Sequence, residues 1–102
     1  MVAKPDVAVD VVNVNVNSDQ SWDILYSVAN VGTADSGPIA VKIECGTSAF
    51  DGYKYVLHSA FVTQGLKAKK STAFSTHCEY AGVRITVGTA NDANLLNNED
   101  VV

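Results

Sequence analysis

Apolar residues recur at every second position through most of this chain, and that period constrains its fold more than any other feature. Residues 7 to 16 read Val-Ala-Val-Asp-Val-Val-Asn-Val-Asn-Val, Trp22, Ile24, Tyr26 and Val28 share one phase, and Ile39, Val41, Ile43 and Cys45 share another. Side chains spaced by two lie on one face of a strand, so each segment predicts a strand with one buried face. No segment keeps the 3.6-residue apolar repeat that a helix of a bundle needs. The alternation slips once: Val7, Val9 and Val11 are odd, whereas Val12, Val14 and Val16 are even. A bulge, or a strand that changes sheet, resolves the slip.

Further strands are expected at about residues 50 to 61, 71 to 78, 83 to 87 and 95 to 102, with turn chemistry between them at Asn17-Ser18-Asp19-Gln20, Gly37-Pro38, Gln64-Gly65 to Lys70, and Asn91-Asp92-Ala93-Asn94. In the fourth segment Tyr53, Tyr55 and Leu57 alternate against Lys54, Val56 and His58; in the fifth, Thr72, Phe74, Thr76 and Cys78 share a phase. About seven short antiparallel strands in 102 residues predict an all-β, immunoglobulin-like β-sandwich, and residues 1 to 102 are expected to form one domain. The chain is 47% hydrophobic and only 18% charged, which excludes an intrinsically disordered segment.

Seven Lys and Arg against eleven Asp and Glu, with Arg84 the one arginine, leave no cationic stripe for a phosphate backbone, so nucleic acid is not an expected partner. No run approaches the ~18 to 20 apolar residues of a membrane span, and no basic amphipathic helix is available, so membrane insertion is not expected. The opening Met1-Val2-Ala3-Lys4-Pro5-Asp6 lacks the apolar core of a signal peptide; for a secreted protein that element would have been removed or would belong to a longer precursor.

Cys45 and Cys78 fall in the core phases of two strands, near the end of each, and are expected to form a disulfide, with two buried thiols as the alternative. A bridge favours an oxidising, extracellular or cell-surface compartment. His77 and His58 invite a metal or nucleophile reading together with the cysteines. Alternation opposes it, because His77 must face away from the core if Cys78 faces in, and no Cys-x-x-Cys or His-x-x-x-His spacing occurs. Asp92, Asn94, Glu99 and Asp100, with Asn97 and Asn98, carry the hard oxygens that calcium takes, but no Asp-x-Asp-x-Asp-Gly loop is present and the same residues are ordinary turn formers. No cofactor is expected, with calcium the one alternative.

Of the aromatic residues Trp22, Tyr26, Phe50, Tyr53, Tyr55, Phe61, Phe74 and Tyr80, most must build the core; Phe50, Tyr53 and Tyr55 are the candidates for an exposed ligand or partner surface. Lys67, Lys69 and Lys70 read as a solvated turn that discourages edge pairing. There is no Gly-x-Ser-x-Gly elbow, no His-Glu-x-x-His and no glycine-rich phosphate loop, so no enzyme activity is expected.

Several stretches together resemble the CARDB domains, the cell-adhesion-related domains of bacteria that are also frequent in archaea. Lys4-Pro5-Asp6-Val7 resembles their opening; Tyr26-Ser-Val-Ala-Asn30-Val-Gly32-Thr-Ala-Asp-Ser-Gly37-Pro38 and the following Ile39-Ala-Val-Lys-Ile-Glu are similar to their most recognisable region; Asn94-Leu-Leu-Asn-Asn-Glu-Asp100 is similar to their ending. Residues 46 to 70 and the cysteine pair depart from the family pattern. The resemblance implies an immunoglobulin-like sandwich, usually one of several modules in an extracellular or cell-surface protein, with no catalytic residues to carry over. Within it, the Asn30 side chain is suited to bonding neighbouring backbone at a strand end, and Gly32 to a positive φ. Three functions follow as expectations: a non-catalytic module for adhesion, spacing or display that meets protein partners or neighbouring modules; a small self-assembling subunit of a filament, capsid decoration or surface layer; and a carbohydrate-binding module.

Overall fold

A computed structural model describes residues 3–47, 54–90 and 98–102, and in it each alternating segment is a strand. The strands are β1 (Val7–Val16), β2 (Trp22–Asn30), β3 (Ile39–Gly46), β4 (Tyr55–Thr63), β5 (Lys70–Cys78), β6 (Val83–Gly88) and β7 (Glu99–Val101). All pairings are antiparallel, in a three-stranded sheet ordered β1-β2-β5 and a four-stranded sheet ordered β4-β3-β6-β7. The two sheets face each other as a β-sandwich. A constant-type immunoglobulin domain has its fourth strand beside the fifth; here β4 pairs with β3 in the opposite sheet. Among the described residues no helix is long and apolar enough to cross a membrane.

The slip in β1 is a bulge. Val11 lies opposite Tyr26 and Asn13 opposite Leu25, so Val12 is the extra residue. The bulge returns Val14 to the core side, while Val12 remains exposed. The core is built from alternate residues of both sheets: Val7, Val9, Ile24, Tyr26 and Val28 on one side, and Ile39, Val41, Ile43, Val83, Ile85 and Val87 on the other. Tyr26 and Phe74, directly opposite on β2 and β5, stack with centroids 5.6 Å apart. Burial raises the Tyr26 phenol above its ordinary pKa.

Cys45 and Cys78 form a disulfide between β3 and β5, with Cα atoms 5.6 Å apart, and so tie the two sheets together near one end of the sandwich. At the other end the chain crosses from β2 to β3 around Asn30, whose side chain is fully buried. Its Oδ1 accepts the backbone N–H groups of Asp6 and Gly32, each at 3.1 Å; its Nδ2 donates to the carbonyls of Ala34 (2.8 Å) and Leu66 (3.0 Å). One side chain thereby joins the lead into β1, the crossing segment and the β4–β5 connection, and its main hydrogen-bonding capacity is filled.

Two expectations need correction here. The fourth strand is Tyr55–Thr63, so it excludes Lys54 and runs two residues past the expected end, while residues 50–53 lie outside the described residues. Gly32 does not have a positive φ; among the described glycines that belongs to Gly82, at 103°. Gly32 is required for space, because a Cβ there would collide with the backbone of Lys4, Pro5 and Asp6. The last strand is Glu99–Val101, and the expected extension over residues 95 to 97 lies outside the described residues.

Candidate binding surface

An antiparallel sandwich leaves four strand edges, each a row of backbone donors and acceptors ready to pair with another chain unless something blocks it. Three are blocked. β1 is broken by its bulge and packs against β6 and β7, where Asp100 Oδ2 accepts the Val11 N–H at 2.7 Å. β7 is three residues long. β5 turns Ser71, Ala73, Ser75 and His77 to solvent and is entered through Lys67, Lys69 and Lys70.

β4 is different. Its nine residues contain no proline, lysine, arginine or carboxylate. The β3–β4 register sets which way each points, since directly paired residues share a face. Thr63, Phe61, Ser59 and Val56 lie opposite the buried Ile39, Val41, Ile43 and Cys45, so they face in; Val62, Ala60 and Leu57 lie opposite Ala40, Lys42 and Glu44, so they face out. The phase reverses because Ile43 pairs with Ser59 and Glu44 with Leu57, leaving His58 as an extra residue. Being at an edge, the strand is poorly covered on both faces: Val62 is 69% exposed, Leu57 64%, Val56 49% and Phe61 36%. Phe61 meets Phe74 edge-on at 6.1 Å, and this contact spans the gap between the sheets on the β4 side.

Two hollows flank β4. On the outer face, a hollow of about 460 Å³ lies over the small residues Ala40, Ala60 and Gly88, between Val62 and Thr86. Beside the disulfide, a smaller one of about 210 Å³ is bordered by Val56, Leu57, His58 and Tyr80. The outer face ends in an ion-paired group. Arg84 binds Glu44 through two hydrogen bonds of 2.9 and 2.8 Å, and its guanidinium lies 5.0 Å from the centre of the Tyr55 ring. The hydrogen bond from Arg84 holds the Glu44 carboxyl below its ordinary pKa, and Glu44 in turn raises Arg84.

The outer face of the three-stranded sheet is polar. His77 Nδ1 and Asp23 Oδ1 are 2.7 Å apart, and Asn17 Nδ2 donates to Asp23 at 3.0 Å; the His77 bond, then the Asn17 bond, lower the Asp23 pKa. His77 thus faces away from the disulfide-bonded Cys78, as alternation requires, and His58 is exposed on β4.

Of the expected aromatic surface, Tyr55 is half-buried beside Arg84, while Phe50 and Tyr53 lie outside the described residues. Of the calcium donors, Asp92 and Asn94 also lie outside them. Glu99 and Asp100 are neighbours on β7, so their side chains leave opposite faces of the sheet, and Asp100 is engaged with the β1 backbone. Among the described residues no three His, Cys, Asp or Glu side chains gather to hold a metal ion. Sequence reasoning missed Val56, Leu57 and Val62. The signal was present in the adjacent apolar pairs Val56-Leu57 and Phe61-Val62, which cannot all point inward from one strand.

No protein-family model matches the chain, and no curated protein matches it. Solved structures do. The CARDB domain of a Pyrococcus furiosus protein, solved in complex with di-metal ions, matches 96% of this chain and 84% of its own length at a TM-score of 0.68 and 15% identity. Beta-glucosidases from Kluyveromyces marxianus (TM-score 0.60, 11% identity) and Bifidobacterium adolescentis (0.56, 20%) also match 96% of this chain, but it spans only 14% and 17% of their lengths. Those are matches to one domain of a large enzyme. The fold is that of the CARDB domain, in agreement with the resemblance carried by residues 4 to 7, 26 to 44 and 94 to 100.

Proposed function

We propose that the chain is a non-catalytic immunoglobulin-like module that works by protein contact in a secreted or cell-surface assembly, where it adheres, spaces or displays. The observation that carries this reading is the β4 edge: nine residues without lysine, arginine or carboxylate, with Val56, Leu57, Phe61 and Val62 exposed, the one apolar edge among the described residues. An added strand would gain main-chain hydrogen bonds from such an edge and side-chain contacts from the hollow over Ala40 and Ala60. The disulfide suits an oxidising compartment. The di-metal ions of the Pyrococcus furiosus neighbour have no counterpart in the described residues, where Glu99 and Asp100 diverge, so the proposal uses no metal.

Attachment of chain-coated beads to cells of the source organism tests the reading. Wild-type beads should attach, and beads carrying Leu57→Lys together with Val62→Lys should lose most of that attachment. Equal attachment by both, or attachment by neither, would overturn it.

A further inference from the structure

Resting on that reading of β4, we propose that the strand's partner is a second copy of this chain: two β4 strands pair antiparallel about a two-fold axis through Phe61, joining two four-stranded sheets into one of eight. Three observations lead to this arrangement.

The first is register. A two-fold antiparallel pair centred on residue 61 places residue 60 opposite residue 62 of the other copy and residue 59 opposite 63, and paired residues must share a face. Residues 59 to 63 satisfy this, because their half of β4 runs in regular register against Ile39–Ile43. Ala60 and Val62 both face out, and Ser59, Phe61 and Thr63 all face in. Val62 of each copy then covers Ala60 of the other, beside the outer hollow, so the protruding residue meets the small one twice. Phe61 meets its own copy on the inner side and extends the row formed by Phe74 and Tyr26. Other centres fit less well. Centring on Ser59 or Ala60 carries the pairing across His58, where the phase reverses, and opposes outward Leu57 to inward Phe61 or Thr63. Centring on Val62 sets Ala60 opposite Gln64, beyond the end of β4, and leaves fewer paired strand residues.

The second is charge. The chain carries a net charge of −4, so two copies repel one another at long range. Residues 59 to 63 contain no ionisable group, and the cation that borders the outer hollow, Lys42, lies one strand further in, opposite Ala60. The third is closure. Among the described residues β1 is bulged and covered, β7 is three residues long and β5 presents polar side chains, so β4 is the one apolar edge, and pairing through it alone stops at a dimer. This separates the proposal from an open filament.

Five residue pairs cover less surface than a standard interface of about 1,600 Å², so the dimer should be weak and should form between about 10 µM and about 1 mM. Sedimentation equilibrium over that range should show the mass rising from 10.8 kDa toward twice that value. Ala60 and Val62 point into solvent, so charges placed there leave the fold intact. The pair A60K/V62K and the pair A60E/V62E should each stay monomeric, since like charges then face each other across the axis. An equimolar mixture of the two should recover the dimer.

Four results would overturn the proposal: a wild-type monomer at about 1 mM, which would assign the edge to a strand of a different protein; a dimer that persists in the lysine variant; no recovery on mixing; or masses that climb past the dimer. The bead assay judges the broader reading separately, because heterologous attachment through β4 survives failure of self-pairing.

Discussion

Replacing Asn30 tests how the corner between the sheets is held. The side chain is fully buried and makes four hydrogen bonds, all to backbone groups, and each contributes about 1 kcal/mol net. Asn30→Ala should therefore cost about 4 kcal/mol, a large share of the ~5 to 15 kcal/mol that stabilises a domain of this size. For 102 residues the unfolding entropy near the midpoint is roughly 0.2 kcal/mol per kelvin, so the melting temperature should fall by roughly 20 °C. Asn30→Asp separates hydrogen bonding from packing, because shape is kept. Ionised aspartate still accepts from Asp6 and Gly32 but turns its charge toward the carbonyls of Ala34 and Leu66. Burial and those carbonyls push its folded pKa above the unfolded value of about 3.9. The folded state then binds the proton more tightly, so this variant should be least impaired below that pH and should lose stability as pH rises through the folded pKa. Urea unfolding at pH 3, 5 and 7 on protein with its disulfide intact measures both effects. A loss below about 1 kcal/mol for Asn30→Ala, or a pH dependence for Asn30→Asp that parallels wild type, would refute the account.

Three further outcomes are expected. Replacing Cys45 and Cys78 together by alanine frees a loop of 33 residues and should cost about 4 kcal/mol in the chain-entropy model, read from denaturant midpoints. Gly32→Ala should cost roughly 1 to 3 kcal/mol through collision with the Lys4–Asp6 backbone, and Gly32→Asn should give no relief, since the position does not need a positive φ. Glu44, Asp23 and Asp19 all have lowered carboxyl pKa values, through hydrogen bonds from Arg84, His77 and Ser21 respectively. Their stabilising contribution is present above the unfolded carboxylate pKa and lost as pH falls through the folded values, so thermal melts should be level from pH 7 to about 5 and decline below about 4, less steeply in Glu44→Gln.

Where strands are buried on one face, the sequence states the fold openly. The odd-to-even slip at Val11 and Val12 announces the bulge, and the phases of Cys45 and Cys78 place both sulfurs in the core where they bond. Asn30 was legible as a residue that bonds backbone, but Asp6 and Leu66, 24 and 36 positions away, are known only once the chain has crossed between sheets. The role of Gly32 was hidden for the same reason, because the clash it avoids is with the lead into β1. β4 was the least legible strand. An edge strand with a bulge does not alternate cleanly, and burial, the cause of alternation elsewhere, is weak there. The candidate surface therefore lies where the periodic signal fades.

The disulfide also sets how far the chain can be drawn out. Described residues enter at the Asn30 end of the sandwich, and Val102 is bonded to Val83 at the disulfide end, along a long axis of 50 Å. A tensile load between the two ends therefore shears β1 from β2 and β7 from β6, and neither ladder contains a cysteine. After they part, the bridge still short-circuits the 33 residues between Cys45 and Cys78, about 110 to 120 Å of extended chain at ~3.3 to 3.6 Å per residue. As a link under tension, the oxidised module has a fixed stop that its reduced form lacks.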